Sequence, residues 1–351
     1  MPVGRRPVVI TSYWQPHTVE PPPDDSMVGT PPRRPQSVRR TSHIDMTWSE
    51  GARGPAHFHG RARDLRSGPD LNPEVIDEVE IIMNVDAARV IETFEVTPGR
   101  DGVDALIGTN SGRGLRAAVG RTWPDERAAG SPLTFLLDDI PVVGSSIGST
   151  AWAQRPPDAV DEEVLTQTLE HTRNFAYNGR TLCSGLRPGG YHEASLDRRI
   201  SFPHYFRAAG DLTSQDDSWA WHPIEEPSDV CARRRRRIDC WPDGELIRIE
   251  AHYRDSSWGP EQDEVAIHEY TLQGAFEIGS HVLRSLSATA LVLPFPECPS
   301  AAAKVGALVG LPADSLRTQV HEALSGTDCC THLNDMLRGL SDVPALVAAL
   351  L

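Results

Sequence analysis

The sequence predicts an α+β protein, built as a tandem pair of units that are each a small antiparallel sheet covered on one face by helices. One observation is period-two alternation, as in "GELIRIEAHYRD", where Ile247, Ile249 and Ala251 would share one face of a strand. A second is helical spacing, as in "DSLRTQVHEAL", where Leu316 and Val320 would line one face of a helix. The third is a series of short motifs that occurs twice along the chain.

The repeated motifs follow the same order in both halves. Each half begins with arginines, Ile-Asp and Trp, in "RRTSHIDMTW" (39–48) and "RRRRRIDCW" (233–241). Next come a strand that ends in Arg-Asp, a strand that contains "DEV", another strand and a segment with the pattern Ala-Leu-aliphatic-Gly. The last elements are short helices, "SPLTFLLDDI" (131–140) and "DCCTHLNDML" (328–337). This order predicts a tandem duplication.

The chain divides into four predicted regions. Residues 1–37 contain nine prolines and form a flexible tail rich in proline and arginine. Residues 38–140 form the first α+β repeat, and residues 233–351 form the second, which carries a cysteine–histidine cluster. Residues 141–232 lie between them as a helical and loop insert.

The insert and the end of the chain carry further predicted elements. An amphipathic helix is expected at 161–177, with acidic residues in its first turn. The aromatic loop 178–228 after it is expected to be an ordered lid or a partner-binding loop. The apolar helix "SDVPALVAALL" (341–351) is expected to dock on the body of the protein or on a second subunit, as in a homodimer.

Composition excludes several classes of protein. The 351 residues carry a formal net charge of −15, which argues against general nucleic-acid binding. No apolar stretch is long enough for a membrane span, and the first residues lack the features of a secretory signal. The six cysteines are few for a chain of this length and two are adjacent, so free or metal-bound thiols in the cytoplasm are expected. The composition leaves open whether the binding partner is another protein or a small anionic metabolite.

The arginine run Arg233–Arg237 stands out in this acidic chain. One interpretation is a strand whose alternate arginines point to solvent on both sides. A second is an anion-binding strip formed by Arg233, Arg235 and Arg237, for a phosphate-bearing ligand or an acidic partner. A nuclear-targeting or nucleic-acid role is a third.

Cysteine and histidine cluster at the start of the last predicted helix. Leu333, Met336, Leu337 and Leu340 have helical spacing, which places Cys329, Cys330 and His332 at the helix N-terminus. Free N–H groups and the helix dipole there favour thiolate, which is both a nucleophile and a soft metal ligand. Cys298, just before another helix, could supply a third sulfur. Packing alone is the structural alternative, since free cysteines are often buried.

On these residues the second half resembles iron–sulfur cluster scaffold proteins of the IscU or NifU type. Cys298 would match the middle cysteine of that family, Cys330 the last, and Cys329 the histidine that precedes it. The family's first cysteine has no counterpart in "SSWGPEQDEVAI", unless His268 or His332 substitutes. The resemblance implies an IscU/NifU-like unit in each half, with the first copy free of ligands.

The chain also resembles an uncharacterised bacterial family of unknown function. The resemblance rests on Cys330-Thr331-His332-Leu333, on the arginine-rich Ile-Asp strand and on "HEYTL". It implies membership without implying an activity.

Two functional hypotheses follow. In the first, the protein is a metal- or iron–sulfur-binding module with Cys298, Cys330 and His332 as ligands, completed by Cys329 or His268, and it holds zinc or a cluster. In the second, Cys330 or His332 acts as nucleophile or base on a small anionic, acyl-type metabolite that the arginine strand holds.

Overall fold

A single large sheet forms the centre of the molecule. The computed structural model describes residues 25–50, 54–144, 170, 182–197, 207–214, 216–227, 230–258 and 263–350. Within these ranges one antiparallel sheet of nine strands is present. The strands are β1 (Ser37–Trp48), β2 (Ala56–Ser67), β3 (Pro73–Val85), β4 (Ile91–Thr97), β5 (Arg207–Ala208), β6 (Cys231–Asp243), β7 (Leu246–Trp258), β8 (Val265–Glu277) and β9 (Leu283–Val292).

The sheet consists of two four-stranded meanders joined edge to edge. Strands β1 to β4 form the first meander and β6 to β9 the second. They meet at β1 and β6, which pair antiparallel from Val38↔Cys240 to Thr47↔Cys231. The α+β class is therefore confirmed, but the two small sheets expected from the sequence are one continuous sheet. The first strands of the two meanders satisfy each other's backbone groups, which removes an open edge from both.

Short helices lie over one face of this sheet, which we call the helix face. The helices are α1 (Leu115–Thr122), α2 (Pro124–Ala128), α3 (Pro132–Leu137), α4 (Ile140–Val142), α5 (Tyr191–Asp197), α6 (Pro299–Ala302), α7 (Leu316–Ala323), α8 (Thr331–Gly339) and α9 (Val343–Ala348). Ser131 caps α3 by accepting a hydrogen bond from the backbone N–H of Thr134. The predicted start of α8 is confirmed, because Cys330 is its N-cap residue.

Several local features occur at corresponding places in the two halves. Arg89 and His281, each just before the fourth strand of its meander, adopt φ angles of 66° and 52°. A short 3-10 helix follows that strand in both halves, at Val103–Leu106 and at Val305–Leu308. Isolated bridges also join Val90 to Asn110 and Val282 to Pro312.

The arginine run lies in β6, as expected for a strand, but its side chains are not solvated. Arg233, Arg234, Arg236 and Arg237 are 1–2% exposed, and only Arg235 is partly exposed. The expectation that alternate arginines point to solvent is wrong, because both faces of the sheet are covered at β6. Side chains alternate along a strand, so Arg234 and Arg236 lie on the helix face. Arg233, Arg235 and Arg237 lie on the opposite face, which we call the second face.

The second face is covered by two segments, residues 25–36 and residues 216–222 of the insert. Residues 25–36, predicted as part of a flexible tail, are anchored on the sheet. Ser26 donates a hydrogen bond to Glu269 (2.7 Å), and Arg33 forms an ion pair with Asp217 (2.9 Å). The prediction fails for this stretch because buried carboxylates hold it. Residues 1–24 lie outside the described part of the chain.

The C-terminal helix docks on the body of the protein. Val343, Leu346 and Val347 of α9 are buried, and the helix contacts β1 and β6. The adjacent Asp342 accepts hydrogen bonds from Arg40 (2.8 Å) and Arg317 (2.6 Å). One of the two docking alternatives for the segment 341–351 is therefore realised. Of the helix predicted at 161–177, residue 170 alone belongs to the described residues, and it is helical.

Three buried histidines on the second face predict loss of stability in acid. Burial lowers the pKa of His43 and of His222 well below the ordinary value, and lowers the pKa of His252 to about 4 despite the hydrogen bond to Glu269. The unfolded chain therefore binds protons from about pH 6.5 downward that the folded protein does not, so stability falls as pH falls.

We expect the urea midpoint to decrease between about pH 7 and pH 5 in circular-dichroism titrations. Replacing His222 with Asn removes one such group and should make the dependence of the midpoint on pH shallower. Equal slopes for the variant and the wild type would contradict this account.

Candidate metal centre

The candidate centre lies on the helix face, between the second meander and α8. Strand β8 supplies His268, and α8 supplies His332 on its first turn with Cys330 as its N-cap. His268 and Tyr270 are two residues apart in β8, so both point to the helix face. Asp255 on β7 pairs with His268 across the ladder and also faces α8.

His268, Cys330 and His332 are close enough to bind one metal ion, and we call these three residues the close group. One ligand atom from each lies within 4.8 Å of the other two, and all three side chains are buried. The two imidazole rings stack with their centroids 3.7 Å apart, and Cys330 Sγ lies 3.9 Å from His332 Nδ1. Residues 268 and 330–332 come from separate elements, so only the fold brings them together.

The centre also contains polar atoms that lack a partner. Among the described residues, the ring nitrogens His268 Nδ1 and His332 Nε2 are buried and make no hydrogen bond. An unpaired buried polar group ordinarily costs about 1–3 kcal/mol, so such groups are few in native proteins. Two ring nitrogens of this kind in one cluster, beside a thiol, are what a metal ion would satisfy.

Burial keeps both imidazoles in the neutral form that binds metals. It lowers the pKa of His332 to about 3, with Arg234 acting in the same direction, and lowers the pKa of His268 well below its usual value. A neutral imidazole offers a lone pair to a metal, whereas an imidazolium does not.

The thiols differ from what their place at helix N-termini suggested. Burial raises the pKa of Cys330 and Cys298, and raises the pKa of Cys329 to about 11. The thiolate expected at these positions is therefore disfavoured in the metal-free protein. Burial is the largest cause at Cys330, and it outweighs the backbone N–H groups of His332 and Leu333, which act to lower the pKa.

The other predicted sulfur ligands lie near the centre but outside the close group. Cys298 is the N-cap of α6 and belongs to the same apolar cluster as Cys330, and burial and then the nearby Cys330 raise its pKa. Cys329 is directed elsewhere, since its thiol donates to the carbonyls of Leu182 (3.2 Å) and Gly326 (3.4 Å).

One nearby thiol was not anticipated from the sequence. Cys183, in the insert, packs against the cluster, and burial, with a smaller contribution from Cys330, raises its pKa to about 12. The neighbouring Ser184 donates its backbone N–H to the Cys329 carbonyl (2.8 Å). A lone cysteine in the loop-rich stretch 178–228 was the available signal, but its distance along the chain gave no reason to connect it with this site.

Asp255 links the centre to a buried ion-pair network. Its carboxylate lies 3.9 Å from His332 Nε2 and accepts a hydrogen bond from Arg234 Nε (2.8 Å). Arg234 also pairs with Asp139 (3.1 Å) and Asp335 (3.0 Å). These three acidic residues were not predicted as part of the site. The arginine run was the available signal, because arginines that become buried require partners of opposite charge.

The predicted anion-binding arginines do not face the cysteine–histidine cluster. Arg233, Arg235 and Arg237 lie on the second face, across the sheet from Cys330 and His332. Arg233 pairs with Asp45 (2.5 Å), and Arg237 pairs with Glu250 (2.7 Å). A small metabolite on Cys330 would thus not reach these arginines, because the sheet separates them. The hypothesis that joined the two groups in one site is corrected on this point.

Comparison with known proteins gives one match. Residues 232–345, less than half of the chain, match the model of a family described as "Protein of unknown function (DUF2889)". The matched stretch contains the second meander from Ala232 onward, together with His268, Cys330 and His332. No curated protein and no solved structure matches the chain. The likeness to an uncharacterised family is supported, whereas the IscU/NifU likeness stays a prediction. Across the described residues, no helix has the length and apolar character needed to span a membrane.

Proposed function

We propose that the protein binds one zinc ion through His268, Cys330 and His332. The single observation that carries the proposal is the convergence of these three buried side chains within 4.8 Å of one another. The unpartnered nitrogens His268 Nδ1 and His332 Nε2 support it. Imidazole and thiolate ligands are those that zinc favours.

The ligand set favours zinc over an iron–sulfur cluster. Such clusters are held mainly by several thiolates, whereas the close group contains one thiol and two imidazoles. Cys298 and Cys183 could add sulfur only after a change of geometry. A scaffold role of the IscU/NifU kind would need those thiols, so it is the less supported form of the proposal.

Three protein ligands would leave the fourth zinc position open or filled by a neighbour. The Asp255 carboxylate, 3.9 Å from His332 Nε2, is one candidate, and Cys298 is the other. A fourth protein ligand is typical of structural zinc sites, whereas an open position occupied by water is typical of catalytic ones. The identity of the fourth ligand therefore bears on whether the protein is an enzyme.

A metal-free catalytic pair of Cys330 and His332 receives less support. A nucleophilic pair gains from a thiolate beside an imidazolium, yet burial raises the pKa of Cys330 and lowers the pKa of His332 to about 3. Both shifts favour the uncharged pair, which suits metal binding after loss of one proton.

The direct experiment is elemental analysis of protein purified without oxygen and without chelators. We expect about one zinc per chain. Iron with acid-labile sulfide would instead support the cluster form. A protein that arrives without metal and does not take up added zinc would contradict the proposal.

Zinc binding is expected to release about one proton near pH 7. The Cys330 thiol must ionise to bind, whereas both histidines are already neutral. Calorimetric titration in buffers with different ionisation enthalpies measures this number. Release of no proton, or of about three, would contradict the assigned ligand set.

The two halves are further proposed to be a tandem duplication in which only the second copy carries the centre. The matching positive-φ residues, 3-10 helices and isolated bridges support this. Across the junction, Arg39 pairs with Asp239 and Arg233 pairs with Asp45, so each half contributes the same pair of residue types. In the first half, Asp101–Gly102 and Pro132–Leu133 stand where the second half has cysteines.

A further inference from the structure

The second face of the sheet carries a cluster of basic side chains that the metal centre does not use. In the strand register, His43 of β1 lies between Arg61 of β2 and Arg235 of β6, and Arg235 pairs with Arg254 of β7. All four residues point to the second face. Arg63 is two residues along β2 from Arg61 and shares this face.

Two buried histidines lie within this basic cluster. His43 Nδ1 is 2.6 Å from His222 Nε2, and His222 Nδ1 is 2.8 Å from the Thr41 hydroxyl. His43 and His222 are each 2% exposed. The two rings also stack, with their centroids 4.9 Å apart. Because a hydrogen bond joins them, the two imidazoles act as one unit.

Most arginines on this face form an ion pair with a carboxylate, but two of those in the described part of the chain do not. Ion pairs engage Arg33, Arg39, Arg61, Arg233, Arg237 and Arg254. Among the described residues, Arg63 and Arg235 have no ion pair, and the Nε of each is buried without a hydrogen-bond partner. Within the described ranges, Arg63 donates to the Trp219 carbonyl (2.8 Å), and burial lowers its pKa although Glu78, which lies opposite it in the β2–β3 ladder, acts to raise that pKa without forming an ion pair. A charge as buried as that of Arg63, which is 4% exposed, is ordinarily paired.

The electrostatic field at the histidines is positive. After burial, the leading causes that lower the pKa of His222 are Arg63, Arg61, Arg235 and Arg233, and no carboxylate is among them. Glu264, the carboxylate that most raises the pKa of Arg235, is itself hydrogen-bonded to the Ser256 hydroxyl (2.5 Å). Arg235 is partly exposed, so an anion could reach it from solvent.

We propose that Arg63, Arg235 and the His43–His222 pair form a binding site for a small oxyanion, either phosphate or the carboxylate of a metabolite. Guanidinium groups bind both through paired N–H donors. The anion would supply the negative charge that the two unpaired arginines lack. This site lies across the sheet from the zinc centre, so it does not depend on the proposed function. It retains Arg235 from the predicted strip and replaces Arg233 and Arg237 with Arg63 and His43 of the first half and His222 of the insert.

The test uses the full-length protein, with inorganic phosphate and acetate as separate probes against chloride at equal ionic strength. We expect one of the two oxyanions to raise the melting temperature and to bind with a Kd of about 1 mM or tighter in calorimetry. Phosphate alone would indicate a phosphate-bearing ligand, and acetate alone a carboxylate ligand. Absence of binding by both would overturn the proposal.

Variants locate the site. Arg235→Gln should weaken oxyanion binding by at least about tenfold, and Arg63→Gln should do the same. In chloride, Arg235→Gln should melt no lower than the wild type, because it removes a charge that has no partner. Arg248→Gln is the matched control: Arg248 is exposed on the same face, pairs with Asp243, and should leave binding unchanged. Undiminished binding in both Arg235→Gln and Arg63→Gln would place the anion elsewhere and refute the assignment.

Discussion

Replacing Cys330 with Ser is expected to lower zinc affinity by at least about 100-fold, the upper range for loss of residues that only support a metal ligand. Cys330 is the only thiol in the close group, and its sulfur lies 3.9 Å from His332 Nδ1. A serine hydroxyl remains protonated near neutral pH and is a poor zinc ligand, whereas the thiol can ionise when the metal arrives. Competition with a chromophoric chelator measures the affinity.

Cys231→Ser is the matched control for this experiment. Cys231 is also fully buried, but it begins β6 and its thiol contacts the carbonyl of Ala232. Both variants bury a hydroxyl, and only Cys330→Ser should lose zinc. Equal affinity for the wild type and Cys330→Ser would refute the assigned centre.

Cys298→Ser reports the fourth ligand. A loss of affinity as large as that of Cys330→Ser would assign Cys298 to the coordination shell and indicate a closed, structural site. A small loss would leave Asp255 or water in the fourth position. Cobalt substitution adds a spectroscopic check, since sulfur-to-cobalt charge-transfer intensity increases with the number of thiolate ligands.

Replacing Arg234 with Met is expected to destabilise the folded protein by about 3–5 kcal/mol. Arg234 is 1% exposed and pairs with Asp139, Asp255 and Asp335, which are themselves buried. Removal of the guanidinium leaves these carboxylates without their shared cation. Asp139 keeps its ion pair with Arg236 and Asp335 keeps its ion pair with Arg116, so the cost arises mainly at Asp255, whose buried negative charge loses its arginine partner.

Urea unfolding followed by circular dichroism measures this effect, with Arg284→Met as the control. Arg284 pairs with Glu277 at 2.8 Å, but both side chains are well exposed, so its loss should cost less than about 1 kcal/mol. If Arg234→Met unfolds at the same urea concentration as Arg284→Met, the buried network does not stabilise the fold as described.

Much of the site could be anticipated from local patterns. Helical spacing of Leu333, Met336 and Leu337 placed Cys330 and His332 at a helix start, and the structure begins α8 there. His268 was only a substitute ligand in the sequence analysis, yet it completes the close group. Period-two alternation in "HEYTL" puts His268 and Tyr270 on one face of β8, but it does not indicate which element covers that face.

The ion pairs of the arginine run could not be predicted from the sequence in the same way. Arg233–Arg237 read as a solvated strand or an anion strip, whereas four of its five side chains are buried. Their partners come from distant positions, such as Asp45 for Arg233 and Asp335 for Arg234. A charge run in a sequence does not reveal whether acidic residues elsewhere will meet it.

The sequence by itself determined the α+β class, the strand character of the arginine run and the position of Cys330 at a helix start, because periodicity and capping depend on neighbouring residues. Only the tertiary structure decided that two meanders form one sheet, that Cys330 and the predicted anion-binding arginines lie on opposite faces, and that thiols near the helix ends stay protonated. These outcomes depend on burial and on contacts between distant residues, such as the ion pair between Arg40 and Asp342, 302 positions apart. Burial sets the cost of each charge, and a local pattern carries no measure of it.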